Sequence, residues 1–397
     1  MDRVADSLML RLSFSAYASL RGHDRRASKA AVSRALAFFG VPGSIEWFAV
    51  SDDHHRFNFA LAFVVVTPTD SGTDYAVVVR GTNPLSLDSW IREDFDVGSL
   101  VRWSGNPAEG KVSQATATAL ALHLGLRDKK APLFTFLADR IADDEAAGRT
   151  STVRFTGHSL GGLLAPVLAL RFSETFPRFG SASFHVVSFA APTPGDSVFA
   201  GHLERSFLES PRQNFGTVRF VRCRDDVAVL VWNKRDLLGI VRLYAAYGVP
   251  INLFVLTVVA ALRWRVRKLD YTQPFASTPE GGRFRIPSSD VFSLDAFDAE
   301  AFLAGRLAVQ FHRARVVAKR RTSPRIFQKT LAWLVQAVVM HVVPYALHLL
   351  EPHEQAYVRD TLLQTILTQD VLFTDRRLAD DPGSSLIRRR GDVVTPP

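Results

Sequence analysis

Gly157-His158-Ser159-Leu160-Gly161-Gly162 decides how the rest of the chain is read. The six residues stand between a short apolar run, Thr152 to Thr156, and a segment of helical composition, Leu160 to Phe172. A serine at a tight strand-to-helix turn projects its hydroxyl from the sheet edge, and glycines two before and two after let strand and helix pass without Cβ clashes. The helix that starts beside it aims backbone N–H groups and a positive dipole end at developing negative charge. The bland alternative is a glycine-bearing helix start with Ser159 as its capping residue. The strand before the element and the helix after it favour Ser159 as a nucleophile.

Working outward, strands and helices alternate. Upstream, Phe57 to Val66 and Tyr75 to Arg80 read as two neighbouring strands around the polar turn TPTDSGTD. Ser113 to Leu126 and Pro132 to Ala147 have the length and composition of helices. Downstream come a strand (Phe184 to Phe189), a helix (Ser197 to Leu208) and another strand (Thr217 to Arg222). Such alternation implies crossover connections, hence an α/β fold whose largely parallel sheet is covered on both faces. Residues 1 to 40 carry helical spacing, stopped by Gly40, Pro42 and Gly43. The expected organisation is N-terminal helices over 1–45, an α/β core over 46–236, and an apolar and basic insert or cap over 237–330. A helical part that returns to the core follows over 331–380, then a flexible tail over 381–397.

The element at Ser159 resembles that of the class 3 lipase family, which includes the fungal triacylglycerol lipases. Val77 to Thr82 (VVVRGT), followed by Asp88, Ser89, Trp90 and Ile91, is similar to the family's strand, RG[ST] turn and tryptophan-bearing segment. Gly110-Lys111-Val112 is similar to a family element that usually continues with histidine, where this chain has Ser113. Ser188 to Asp196 (SFAAPTPGD) resembles the family's FGAPRVG stretch, with Ala190 in place of a glycine. The resemblance covers about residues 57 to 230 and implies an α/β-hydrolase fold. It further implies hydrolysis of lipid esters through an acyl-enzyme, with no cofactor and no metal.

In such a site two N–H groups hold the oxyanion, a base activates the serine and a carboxylate orients the base. The resemblance assigns the oxyanion donors to Leu160 and Thr82, Gly81 permitting the sharp turn, and a lid to Leu85–Asp96. In the order Ser, acid, His, Phe220 to Leu230 (FVRCRDDVAVL) offers Asp226 by alignment, with Asp225 as the alternative. Four histidines follow: His312, His341, His348 and His353. His341 and His348 lie inside LAWLVQAVVMHVVPYALHLL and read as packed core histidines. His353 follows Glu351-Pro352 and precedes Tyr357, similar to the family's late histidine with a tyrosine a few residues on. It is the expected base, with His348 behind it. Pro166 is expected to remove the backbone bond to the Gly162 carbonyl and kink the helix after Ser159.

Composition limits the alternatives. In 397 residues, 47% of them apolar, a large core is possible, and the single Cys223 excludes an internal disulfide or a thiolate metal cage. The N-terminus has no signal-peptide core, so a cytoplasmic protein is expected. Of the net charge of +9, a surplus of eight lies between Arg263 and Lys329, with fourteen Lys/Arg against six Asp/Glu. No zinc-finger spacing or RNA-binding aromatic motif accompanies it, which disfavours nucleic acid. Leu243–Leu262 and Leu331–Leu350 lack formal charges but carry helix breakers. A two-span hairpin would put the basic stretch on the outer side, against the usual bias. Core helices or a membrane-facing cap remain, the latter implying peripheral contact with an anionic membrane. Three functions stay open: a lipase or esterase, a phospholipase or diacylglycerol lipase at a membrane surface, and a catalytically silent lipid-surface protein.

Overall fold

Long apolar runs such as Leu61–Val66 and Tyr75–Val79 make sense only if a strand is buried on both faces, and that is how they lie. A computed structural model of the chain describes residues 3–19, 25–51, 60–81, 98–103, 106–176, 178–209, 214–223, 226, 253–276, 283–284, 341 and 345–358. Helices α1 (Arg3–Ser15) and α2 (Arg25–Phe38) lead into an antiparallel meander of β1 (Ser44–Val50), β2 (Leu61–Thr69) and β3 (Gly72–Val79). Short strands β4 (Leu100–Arg102) and β5 (Lys111–Ser113) precede α3 (Gln114–Gly125) and α4 (Leu133–Ala146). Then β6 (Thr150–His158), α5 (Leu160–Thr175), β7 (Ala182–Phe189), β8 (Gly195–Asp196), α6 (Ser197–Leu208) and β9 (Asn214–Cys223) alternate. Helix α7 (Leu253–Val266) and two-residue strands β10 (Tyr271–Thr272) and β11 (Arg283–Phe284) follow.

The main sheet has the order β1-β2-β3-β6-β7-β9-β11. Every pairing from β3 onward is parallel. A smaller antiparallel sheet runs β10-β8-β5-β4. The chain thus has the α/β architecture expected, with β6 in the middle and the Gly157–Gly162 turn at its carboxyl end, where open α/β sheets place their ligands.

Residues alternate between two cores. Ala62, Val64, Val66, Val77 and Val79 face α3, α4, α5 and α6, whose Leu120, Leu137, Ile141, Leu164, Leu168 and Phe199 fill that side. Leu61, Phe63, Val65 and Val78 face the other way, onto Met9, Leu10, Leu12 and Phe14 of α1 and onto Tyr345, Ala346 and Leu349 near the C-terminus. Buried Glu354 forms a 2.7 Å ion pair with Arg11, so the first helix and residues 345–358 cover the same face. Helix α5 runs unbroken across Pro166. The proline denies the Gly162 carbonyl its helical partner, and Ser188 Oγ donates to that carbonyl at 2.7 Å instead. The expected interruption is thus met by a side chain from β7.

Among the described residues no helix is long and apolar enough to cross a membrane. The expected lid segment lies outside the described residues, as does most of the expected insert, of which α7 is the main described part.

Candidate active site

Ser159 joins β6 to α5 with φ 63° and ψ −128°, a left-handed conformation that costs a non-glycine residue about 1–3 kcal/mol and persists only where its surroundings impose it. They do so here through absent side chains. A Cβ on Gly161 would stand 2.1 Å from the Val79 carbonyl oxygen, and one on Gly162 would stand 2.2 Å from that of Phe189. One on Gly157 would strike the Gly161 backbone at 2.4 Å. Strand and helix therefore press together and lift Ser159 out of both. Its side chain makes no capping bond, contrary to what a plain helix-start serine would do. Its N–H donates to the Phe189 carbonyl at 3.0 Å, and Leu160 begins α5, where a first-turn N–H has no partner inside the helix.

Asp226 lies just beyond the end of β9, 0% exposed. His341 Nδ1 stands 2.9 and 3.0 Å from its two carboxylate oxygens. A carboxylate accepts only, so Nδ1 carries the proton and donates it into that pair. Tyr345 OH donates to Asp226 Oδ2 at 2.8 Å and accepts from the Cys223 N–H at 2.9 Å. Burial, and next the Asp226 charge, push the Tyr345 hydroxyl well above the ordinary range, which keeps it a donor at all ordinary pH.

His158, the residue before the serine, fastens the histidine segment to the turn. Its ring nitrogen Nε2 is 2.9 Å from the His341 carbonyl oxygen and must donate there. The two rings lie 4.6 Å apart. The Tyr17 hydroxyl is 3.2 Å from both Nδ1 and the carbonyl oxygen of His158. Burial, then the neighbouring His341 ring, hold His158 well below the ordinary histidine range, so it stays neutral with Nδ1 an acceptor. The turn after β3 closes the other side. A Cβ on Gly81 would meet the His158 carbonyl oxygen and the Tyr17 hydroxyl, each at 2.4 Å, and Ser159 Cβ at 3.0 Å.

The expected residues are thus partly gathered. Ser159 and Leu160 lie at the turn between β6 and α5, and Asp226 lies just beyond β9. Thr82, Asp225 and His312 lie outside the described residues. The expected pairing of Asp226 with His353 is not found and is corrected to His341. His353 is exposed, its ring 6.1 Å from that of Phe38 on α2, and Tyr357 stacks on the same phenylalanine at 4.2 Å. His348 sits half-buried in the helical stretch 345–349. His341 is the core histidine its apolar surroundings suggest, 1% exposed, but the buried partner it packs against is the carboxylate. Nothing in the sequence marks Tyr17 or Tyr345 as site residues, and His158 stands out there only as a member of the Gly157–Gly162 element. Ser113 is explained locally: it caps α3 by accepting from the Thr116 N–H at 3.0 Å.

One group among the described residues, Glu109, Glu174 and His202, brings three potential metal-ligand atoms within 4.8 Å of one another. Its central carboxylate is already occupied. Trp103 Nε1 donates to both Glu174 oxygens at 2.9 and 3.0 Å, and His202 Nε2 lies 3.0 Å from one of them. The group sits near the far end of α5, about 20 Å along the helix from Ser159.

Residues 76–233 match the family model described as lipase (class 3). No curated protein matches the sequence. Among solved structures, the chain is similar to M37 lipase, with a TM-score of 0.65 and 21% identity over 92% of this chain and 96% of that one. It also matches lipase II from Rhizopus niveus, with a TM-score of 0.41 and 17% identity over 59% of this chain and 76% of that one. The first of these likenesses shares the whole fold.

Proposed function

We propose that this chain is a class 3 lipase and hydrolyses carboxylic esters of lipids through an acyl-enzyme on Ser159, with His341 as general base and Asp226 as its orienting carboxylate. The observation that carries the reading is the buried Asp226–His341 pair, held against the residue next to a conformationally strained serine. Asp226 fixes His341 in the tautomer whose Nε2 can take the serine proton and stabilises the imidazolium that results. Ser159 Oγ then attacks the ester carbonyl carbon. The oxyanion is received by the Leu160 N–H at the start of α5 and, from beyond Gly81, by Thr82. His341 returns the proton to the leaving alcohol, and water activated by the same ring releases the acid. Every step uses side chains and backbone groups of the chain itself.

The direct test is turnover of p-nitrophenyl butyrate by the Ser159→Ala variant. A loss of about a thousandfold or more in kcat is expected; unchanged turnover would remove Ser159 from the chemistry. Labelling of the wild-type protein by a fluorophosphonate probe separates an active hydrolase from a silent lipid-surface protein, which would take up no label.

A further inference from the structure

Helix α7 lies outside the family-matched segment and, among the described residues, presents an exposed face. Val259 and Val266, seven positions apart, are buried, which sets the inner side. On a helix of 3.6 residues per turn, Arg263, Leu256, Ala260 and Trp264 then lie along one flank, running outward from beside the buried valines, and Arg267 stands just past the last turn. All five are exposed, Leu256 at 41% and Trp264 at 67%. The Arg267 guanidinium lies 4.4 Å from the centre of the Trp264 ring, and Arg265 and Lys268 add further exposed cations. The helix contains no acidic residue, and the nearby Asp270 is engaged by the Ser197 hydroxyl.

We propose that this flank of α7 docks on a bilayer containing anionic phospholipid. Cations near a helix C-terminus have a simpler explanation in the helix dipole. The dipole does not account for a tryptophan and a leucine turned to water on the same flank. An indole beside guanidinium groups at the end of an apolar stripe matches the headgroup boundary of a membrane, where rings sit among the upper acyl chains and cations meet lipid phosphates. Among the described residues no helix is long and apolar enough to cross a membrane, and the 14 residues of Leu253–Val266 fit a helix lying in the interface. It is also fixed to the catalytic end of the sheet. It leads into β10, which pairs with β8, and Gln273 donates to the Ala191 carbonyl at 3.0 Å in the loop after β7. Docking α7 therefore brings that end of the molecule toward the lipid. The inference extends the hydrolase reading by naming the surface that carries substrate, and it does not depend on Ser159 chemistry.

The experiment is co-sedimentation of the intact Ser159→Ala protein with vesicles of phosphatidylcholine alone and of phosphatidylcholine with phosphatidylglycerol, at low and high salt. Partitioning onto the phosphatidylglycerol vesicles at least tenfold tighter than onto phosphatidylcholine, and weakened by salt, is expected. Arg263→Glu with Arg267→Glu should lower it at least tenfold, and Trp264→Ala severalfold. The same substitutions in the wild-type background should leave p-nitrophenyl acetate turnover unchanged. Equal binding to both vesicle types, or wild-type binding by these variants, would overturn the proposal. So would a change from dimer to monomer in Trp264→Ala with vesicle binding intact, which would make the face a contact between copies. If vesicle binding behaves as expected while the wild type shows neither turnover nor fluorophosphonate labelling, the docking surface stands and the hydrolase reading falls.

Discussion

His341 and Asp226 meet across 115 positions of sequence, with Nδ1 of the imidazole 2.9 Å from one carboxylate oxygen and 3.0 Å from the other. Both side chains are buried, and Tyr345 holds the acid from a third direction. If the carboxylate serves to fix the tautomer, Asp226→Asn should keep the fold and lose the chemistry. An amide presents an N–H to Nδ1 and turns the ring's proton to Nε2, where the serine needs a base. The expected fall in kcat is about a thousandfold to ten-thousandfold, with thermal unfolding shifted by only a few degrees. Steady-state kinetics beside a melting curve would check both halves.

The bond from Ser188 Oγ to the Gly162 carbonyl should matter for stability because Pro166 leaves that oxygen no helical partner. Both groups are buried, so Ser188→Ala orphans an acceptor away from water. A loss of about 1–3 kcal/mol is expected in urea unfolding. Pairing the substitution with Pro166→Ala, which restores the helical N–H, should recover part of it.

How far the sequence could be read depended on how local each signal was. The glycine-flanked turn at Ser159 and the doubly buried runs of β2 and β3 are properties of a few consecutive residues, and they placed the central strands and the strand-to-helix turn. Asp226 was offered by the family resemblance at a strand end, with Asp225 beside it as the alternative. The histidine was harder because the same spacing occurs twice. His341 precedes Tyr345 by four, as His353 precedes Tyr357. Choosing between them requires knowing which one the C-terminal segment buries against β9, a long-range fact. The apolar surroundings of His341 argued for a core residue, and it is one. What sequence could not show was that the core at that point contains an aspartate. Pro166 was legible as a missing bond, but its replacement comes from β7, more than twenty residues on.

Ala190, where the family resemblance leads one to expect glycine, adopts φ 55° and is fully buried. Its N–H donates to the Val221 carbonyl at 3.1 Å, next to the bond from Ser159 to Phe189. The left-handed conformation costs alanine about 1–2 kcal/mol. Glycine would relieve that cost while gaining freedom in the unfolded chain worth about 0.5–1 kcal/mol. Ala190→Gly is therefore expected to stay within about 1 kcal/mol of wild type. Ala190→Val, branched at Cβ in a conformation such residues avoid, should lose more than about 2 kcal/mol by chemical denaturation.

Buried His123 on α3 gives stability a pH dependence. Burial pulls its pKa down to about 4, with the bond to the Ala119 carbonyl opposing. The unfolded chain takes up a proton at the ordinary value of about 6.5, so between that pH and about 4 it binds more protons than the folded one. Stability is full above this window and declines as pH falls through it, by about 3 kcal/mol for this one group. His185, also pulled down to about 4, chiefly by burial, acts in the same direction. Melting temperatures measured from pH 7 to 4 should fall steadily, and His123→Leu should flatten the slope.

The central assignment is tested most directly by comparing His341→Ala and His353→Ala in the same ester assay. With p-nitrophenyl butyrate, the His341 variant is expected to lose about a thousandfold or more in kcat, while the His353 variant, altered only at the surface beside Phe38, turns over at the wild-type rate. Wild-type activity in His341→Ala, with the loss appearing in His353→Ala, would contradict the account.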